Sequence, residues 1–465
     1  MNTATINTLY FLGIGGIGMS ALARYFLARG CKVYGYDKTK TALTIQLEKE
    51  GMLIHYREDI DQIPESVKSM DEKSLIVYTP AIPKDNKEFQ FLINNNCKLY
   101  KRSEVLGLIS QNYFTIAIAG THGKTTTSSI VAHVLNESGV KCVAFLGGIS
   151  LNFNSNLLLN EDANTMVVEA DEYDRSFLTL APDIALITSL DADHLDVYGN
   201  KNEMTCAYSA FVGKIKPEGN LITKKQYLKL LDIPKNIKTS TYSISDYSDI
   251  AASNIHIEEG NYFVDISAGL NITRAVKIGL PGIHNVENAV GAYAIANVLG
   301  IDDQKIKNAL STYKGVHRRF EYHIKTRDLI YIDDYAHHPS ELKMCINSVK
   351  QLYPAKKITG IFQPHLYTRT RDFADEFAES LSMLDELILL DIYPARELPI
   401  EGVTSAIIAN KVTITNKCVL AKEDLLEYLS KRNFEVLLTL GAGDIDVFVS
   451  PIKELLTNKL GRVDE

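Results

Sequence analysis

Short apolar runs recur along the chain. Each is closed by a turn rich in Gly, Asn, Asp or Ser, and most lead into a stretch with apolar residues at helical spacing. That alternation predicts strand, turn and helix in repetition, and hence an α/β fold built on parallel sheets. A first block reaches about Gln111, with strands expected at Thr8–Leu12, Lys32–Tyr36 and Ser74–Tyr78. The charged segment VKSMDEKS inside it has no apolar period and reads as a solvated turn. A second block opens on a strand at Phe114–Ala119 and continues through Thr165–Val168 and Ile184–Thr188. A less regular stretch follows, from about Leu221 to Lys277, before the helical pattern NVENAVGAYAIANVLG. The segment YKGVHRRFEY marks the second boundary. Strands are then expected at Leu329–Ile332, Lys357–Phe362, Leu387–Leu390 and Val436–Leu440. The expected organisation is a Rossmann-like domain over 1–111, a P-loop ATPase-like domain over 112–316, and a doubly wound α/β domain over 317–465.

Length agrees with this division. The 465 residues suit three domains of ordinary size, each able to bury a core of its own. The hydrophobic share of 46% and charged share of 23% are those of a soluble globular chain. A net charge of −8 argues against a nucleic-acid partner. Cys31, Cys97, Cys142, Cys206, Cys345 and Cys418 are scattered with no C-x-x-C pair, which argues against a zinc ribbon and for a reducing compartment. The N-terminus lacks the basic region and cleavage pattern of a signal peptide, and no apolar run reaches the roughly 18 residues of a membrane span. A cytoplasmic location and no membrane partner are therefore expected.

IAIAGTHGKTTTSSIVAHVL, residues 116–135, is the first stretch that suggests chemistry. A glycine turn between strand and helix aims several backbone N–H groups at one point, and the helix N-terminus adds partial positive charge. Lys124 is placed to reach β/γ-phosphates, and the Thr125 hydroxyl to ligate Mg²⁺. The generic motif G-x-x-x-x-G-K-[ST] would put its first glycine at position 118, which is Ile. Two acidic clusters follow later strands: Glu169, Asp171, Glu172 and Asp174, then Asp191, Asp193, His194 and Asp196. Each alone reads as a solvated acidic turn. Together, beyond the carboxyl ends of neighbouring strands, they offer the hard oxygen ligands that Mg²⁺ takes.

A second glycine loop lies at the N-terminus. Gly13, Gly15 and Gly18 form G-x-G-x-x-G, and Asp37 ends the next strand. This pattern reads a pyrophosphate and a ribose. NAD and a nucleotide-sugar both carry those groups, and the pattern alone does not separate them. The phosphate loop in the next block favours an acceptor substrate here, beside a phosphoryl donor.

LGIGGIGMS, GTHGKTTT, VEADEYDRSFL, DADHLDVY, GIHNVENAVGA, YIDDYAHHPSE and FQPHLYTRTRDF occur in the order in which the Mur ligases of bacterial cell-wall synthesis carry such motifs. The chain resembles that family over nearly its whole length. The family loop is the shorter G-x-x-G-K-T-T, which accounts for Ile118, and His122 takes a place often held by Asn. The resemblance implies ATP, Mg²⁺ and an acyl-phosphate intermediate. It implies a first domain that binds a UDP-sugar, a second that binds ATP and a third that takes the amino acid and closes the site. EADEYDRSFL followed directly by TLAPDIALITSLDADH resembles the branch that joins L-alanine to UDP-N-acetylmuramate. The alternatives are the recycling branch, which adds a tripeptide to the same sugar, and a non-catalytic nucleotide-sugar or NAD sensor. A monomer or weak homodimer is expected.

Residue by residue, the resemblance places the UDP-sugar at Gly13, Gly15, Gly16, Gly18, Met19, Ser20, Asp37 and Thr79. It places ATP phosphates at Gly120, Thr121, His122, Gly123, Lys124, Thr125 and Thr126, and adenine at His284, Asn285 and Asn288. Asn285 equally suits a helix cap. Arg319 and Asp334 are expected to reach the nucleotide from the third domain, although Arg319 also suits a boundary ion pair. Thr125, Glu169 and His194 are the implied metal ligands. His365 and Arg369 suit the alanine carboxylate, which a guanidinium grips bidentately. His337, His194 or a nearby carboxylate could take the amine proton, and His338 reads as a turn residue. Two positions depart from the pattern: Ser209 stands where several relatives carry a carbamylated lysine, and Leu366 where the branch commonly has Arg.

Overall fold

A computed structural model describes residues 5–191, 198–395 and 397–460. Asp193, His194 and Asp196 lie outside the described residues.

Three sheets organise the chain. The first contains β1 (Thr8–Leu12), β2 (Lys32–Tyr36), β3 (Leu53–His55), β4 (Ser74–Tyr78) and β5 (Leu99–Lys101), all parallel, in the order β3-β2-β1-β4-β5. The second contains β6 (Phe114–Ala119), β7 (Cys142–Ser150), β8 (Ser155–Leu159), β9 (Thr165–Glu169), β10 (Ile184–Ile187), β11 (Asn220–Thr223), β12 (Lys238–Ser243), β13 (Ile250–Glu258), β14 (Asn261–Ala268) and β15 (Asn271–Ile278). Its order is β15-β14-β13-β12-β11-β10-β6-β9-β7-β8. The third contains β16 (Glu321–Lys325), β17 (Ile330–Asp334), β18 (Ile358–Phe362), β19 (Glu386–Leu390), β20 (Lys417–Leu420) and β21 (Val436–Leu440), in the order β16-β17-β21-β18-β19-β20, with only the β16–β17 pair antiparallel. The central strands β1, β10, β17, β18, β19 and β21 are buried along their whole length. Covered on both faces, such strands need continuous rather than alternating apolar runs, and the sequence supplies them.

The chain forms two compact units. One holds the residues up to His256 with Phe263–Gly279 and Asn285–Lys314; the other holds Ile257–Tyr262, Leu280–His284 and the residues from Gly315 onward. The first two sheets share one hydrophobic core, running from Leu9 and Phe11 through Tyr25 and Phe26 to Phe145, Val168 and Phe211. The helix Ile17–Ala28 is the joint. Asn156 of β8 donates through Nδ2 to Ser20 Oγ at 2.8 Å and to the carbonyl of Ile17, while Arg24 donates to Asn156 Oδ1. No local period encodes that seam, because it links residues more than a hundred positions apart.

Phe177 is a keystone of this shared core. It stacks on Phe211 at 4.9 Å, nearly parallel, and meets Tyr208 edge-on at 5.3 Å. Phe177→Ala is expected to destabilise the protein by about 3–5 kcal/mol, read as a lowered midpoint in urea denaturation.

Among the described residues no helix is long and apolar enough to cross a membrane. All six cysteines are free thiols, four of them buried.

Candidate functional site

The phosphate loop follows β6, whose apolar run ends in Gly120. The loop needs two glycines for steric reasons. Gly120 has φ +128°, and a Cβ there would overlap the Thr188 hydroxyl and lie 2.7 Å from the Ser189 N. Gly123 has φ +82°, and a Cβ there would lie 2.5 Å from Asn288 Oδ1. The chain then turns directly into the helix Lys124–Glu137, with Gly123 as its N-cap. Thr125 and Thr126 are buried in its first turn. Thr188 and Ser189, just past β10, brace the loop. Thr188 Oγ1 donates to the His122 carbonyl, the His122 N–H donates to Ser189 Oγ at 2.8 Å, and the Ser189 and Thr121 hydroxyls lie 2.8 Å apart. Sequence reasoning missed Thr188 and Ser189; the only signal was hydroxyls ending a strand that turned out to neighbour β6.

Lys124 does not project freely. Its Nζ donates to the Gly120 carbonyl at 2.7 Å and to Glu172, with the nearest carboxylate oxygen at 2.7 Å. Glu172 is fully buried. Burial works against the ammonium charge, but Glu172, Asp171 and Glu169 together more than offset it, so the Lys124 pKa is raised. A triphosphate arriving at this loop would compete with Glu172 for the same cation.

The Glu169 side chain ends β9 beside Gly147 of β7, where any Cβ would collide with the carboxylate. Glu169, Asp171 and the Thr125 hydroxyl are hard oxygen donors clustered at strand ends beside the loop. Gly147 leaves room for the Glu169 carboxylate, and oxygen donors of this kind are the ones Mg²⁺ takes. Ser209 accepts the Asp232 N–H at 3.2 Å and serves a turn.

The first glycine loop is held from three directions. Gly13 has φ +87° and lies against Thr79, so a Cβ would meet the Thr79 methyl at 2.6 Å. Asp37 accepts the Gly15 N–H at 2.8 Å and the Thr39 N–H at 3.1 Å, so part of its acceptor capacity serves the loop itself. Gly18, in the first turn of the helix Ile17–Ala28, packs against the Arg102 guanidinium, with a hypothetical Cβ only 2.9 Å from it. Arg102 Nη2 also lies 3.8 Å from Asp171, and the adjacent Lys101 pairs with Asp174 at 2.9 Å. Arg102 thus links the first glycine loop to the acidic segment after β9, a placement sequence reasoning did not find. Asp174 and Arg175 both adopt left-handed backbone, with φ +53° and +55°. Met19 and Ser20 are buried, and Ser20 is engaged by Asn156, which gives both a packing role.

Asn288 lies against the phosphate loop, and its Nδ2 donates to Asn285 Oδ1 at 3.3 Å. The helix Ile283–Val298 begins two residues before Asn285, so Asn285 is not its cap. His284 is pushed down to about 4 by burial, with the Arg319 guanidinium acting in the same direction. This fixes a pH dependence. An imidazole that protonates near 6.5 when unfolded and near 4 when folded contributes stability above 6.5, and that contribution is lost as pH falls from 6.5 to 4. The loss amounts to about 3 kcal/mol at most. His284→Gln is expected to flatten the fall in melting temperature over that window, measured as wild type minus variant at each pH. Burial moves Asp334 up to about 6, which works with the opposite sign but is common to both proteins.

In the second unit, candidate residues gather beyond the carboxyl ends of β17 and β18. Asp334 ends β17 and accepts the Phe320 N–H at 2.7 Å and the Ala336 N–H at 2.8 Å. The Arg319 guanidinium stacks over the Tyr335 ring at 5.1 Å. His337 Nδ1 donates to the Tyr335 carbonyl at 3.0 Å, which leaves Nε2 as the lone-pair nitrogen. Burial lowers its pKa, against the pull of Glu341. His337 meets His365 edge-on at 5.9 Å, and His365 stacks on Tyr393 at 5.7 Å. Arg369 is on the short helix Tyr367–Asp372. Leu366 caps that helix with φ +71°, a strained conformation for a branched side chain, held by its N–H donating to the Tyr393 carbonyl at 2.9 Å. His338 is the N-cap of the helix Pro339–Leu352, in a capping box with Glu341, rather than a turn residue.

The family models fit the same order of parts. The family model described as Mur ligase family, catalytic domain, matches residues 8–114; the Mur ligase middle domain matches 118–296; and the Mur ligase, glutamate ligase domain, matches 318–443. The chain is 48% identical over 454 residues to a UDP-N-acetylmuramate–L-alanine ligase of Christiangramia forsetii, covering 98% of both. Among solved structures it resembles the UDP-N-acetylmuramate–alanine ligase of Thermotoga maritima, with 26% identity, a TM-score of 0.80, and 98% and 99% of the two chains covered. A murein peptide ligase from Psychrobacter arcticus shares the fold at 22% identity and a TM-score of 0.70, covering 97% of this chain and 99% of that one. The chain belongs to the Mur ligase family.

Proposed function

We propose that the protein joins L-alanine to the carboxylate of UDP-N-acetylmuramate, with cleavage of ATP to ADP and phosphate. The observation that carries this reading is the full-length 48% identity to an alanine-adding relative. The murein peptide ligase shares only the fold. The intact Lys124 loop argues against a non-catalytic sensor, which would need no phosphoryl-transfer machinery.

A carboxylate is a poor electrophile, so its oxygen must first leave as part of something better. The muramoyl carboxylate oxygen attacks the γ-phosphorus of ATP, and ADP departs. Two anions approach in that step, and Lys124 with the helix N-terminus behind it lowers the repulsion. Thr125 and Glu169 would hold Mg²⁺, which when bound neutralises phosphate charge. The alanine amine then attacks the acyl carbon, a tetrahedral intermediate forms, and the C–O bond to phosphate breaks as the amide closes. Arg369 and His365 are assigned to the alanine carboxylate. His337 suits the amine proton, because its imidazole is neutral near pH 7 and its Nε2 lone pair is the accepting one. Gly13, Gly15, Gly18 and Arg102 are assigned to the diphosphate of the UDP-sugar.

The test is phosphate release from ATP with Mg²⁺ and UDP-N-acetylmuramate, comparing no amine, L-alanine and the L-Ala-D-Glu-diamino-acid tripeptide. Release that requires L-alanine supports the proposal. Release only with the tripeptide assigns the protein to recycling, and release with neither removes the ligase reading.

A further inference from the structure

A second cluster of ligating side chains lies in the third sheet, on residues to which the reaction above assigns no role. β16 and β17 pair antiparallel with Glu321 opposite Asp333, so both carboxylates share one face of the hairpin. The register slips between Tyr322 and Ile324, making His323 the extra residue of a bulge. Bulges re-aim side chains. Here the His323 ring lies 5.3 Å from the Tyr331 ring, with Nε2 3.7 Å from Glu321 Oε2. One ligating atom each from Glu321, His323 and Asp333 falls within 4.8 Å of the others. Donors about 2.0–2.1 Å from a tetrahedral ion stand about 3.3 Å apart, so the trio closes on an ion with side-chain adjustments of an ångström or so.

Three further observations favour an ion over a closed ion-pair network. First, His323 Nε2 is buried and makes no hydrogen bond. Second, Glu321 and Asp333 are both buried, and among the described residues the one guanidinium paired with them is that of Arg318, 3.1 Å from Asp333. Third, the outer partners are already in place. Thr439 Oγ1 donates to Asp333 Oδ1 at 2.6 Å, the Arg318 N–H donates to Glu321 at 2.9 Å, and His317 Nδ1 lies 2.9 Å from Glu321. Hydrogen bonds of this kind orient ligating carboxylates.

We infer that Glu321, His323 and Asp333 form a structural site for a divalent transition-metal ion of the zinc class, fastening β16 to β17. Imidazole with two carboxylates suits zinc, whereas Mg²⁺ and Ca²⁺ require more oxygen donors than the cluster offers.

The test uses the full chain after treatment with a chelator, with excess Mg²⁺ and ADP present to fill oxygen-rich sites. Titration with Co²⁺ is expected to give a visible d–d absorption that saturates at one equivalent and is displaced by Zn²⁺, together with a raised melting temperature. His323→Gln should weaken Co²⁺ binding about 100-fold or more while leaving phosphate release within about twofold of wild type. If circular dichroism shows that His323→Gln is unfolded, Glu321→Gln is read in the same way. No visible band in the wild type, or the same band and affinity in a folded variant, overturns the inference.

Discussion

Lys124→Ala is expected to lower turnover by about 10³-fold or more, because it removes the one side-chain cation donated by the loop to the transferring phosphoryl group. The same change has a structural cost that must be separated from the catalytic one. Lys124 is the partner of Glu172, which is fully buried. Removing one member of a buried pair typically costs about 3–5 kcal/mol, because the other charge is left uncompensated. Lys124→Ala should therefore lose both activity and melting temperature. The double variant Lys124→Ala/Glu172→Gln removes the stranded charge and should recover most of the stability. It should recover none of the phosphate release. If stability and activity return together, Lys124 holds the fold and not the phosphates.

Gly120→Ala carries the second-largest expected effect, and its cause is steric. At φ +128° an alanine is strained, and its methyl would overlap the Thr188 hydroxyl that braces the loop. Strain of this kind costs about 1–3 kcal/mol, and the displaced loop would no longer aim its N–H groups at one point. Turnover should fall by about 100-fold, with a raised KM for ATP, since these donors act by fixed position. Gly30→Ala is the matched control. Gly30 also has positive φ (+83°), but nothing lies within 4 Å of its would-be Cβ. It should lose a little stability and keep its turnover.

What was legible in the sequence was local. Apolar runs between turns placed the central strands to within a residue or two: Thr8–Leu12, Phe114–Ala119 and Val436–Leu440 all stand as read. The glycine loops were legible because left-handed backbone and close approach restrict those positions to one residue type. The braces were not. Thr188 and Ser189 matter only because β10 lies next to β6, a neighbour relation set by sheet order. Arg102 touches Gly18 across 84 residues of chain, and Gly147 is selected by the side chain of Glu169 on another strand. The shared core of the first two sheets was missed for the same reason. A period reports which face of an element is apolar, not which element covers it. Leu366 was flagged for its side chain, but its strained backbone, tied to Tyr393, has no signature in a single sequence.

The most direct test of the central claim follows an oxygen atom. UDP-N-acetylmuramate labelled with ¹⁸O in its carboxylate is turned over with ATP, Mg²⁺ and L-alanine, and the released phosphate is examined by mass spectrometry. Activation as an acyl phosphate, followed by attack of the alanine amine, transfers one carboxylate oxygen to phosphate, so the account predicts labelled phosphate formed in step with the L-alanine adduct. Unlabelled phosphate, or labelled phosphate that forms only when the tripeptide replaces L-alanine, would contradict it.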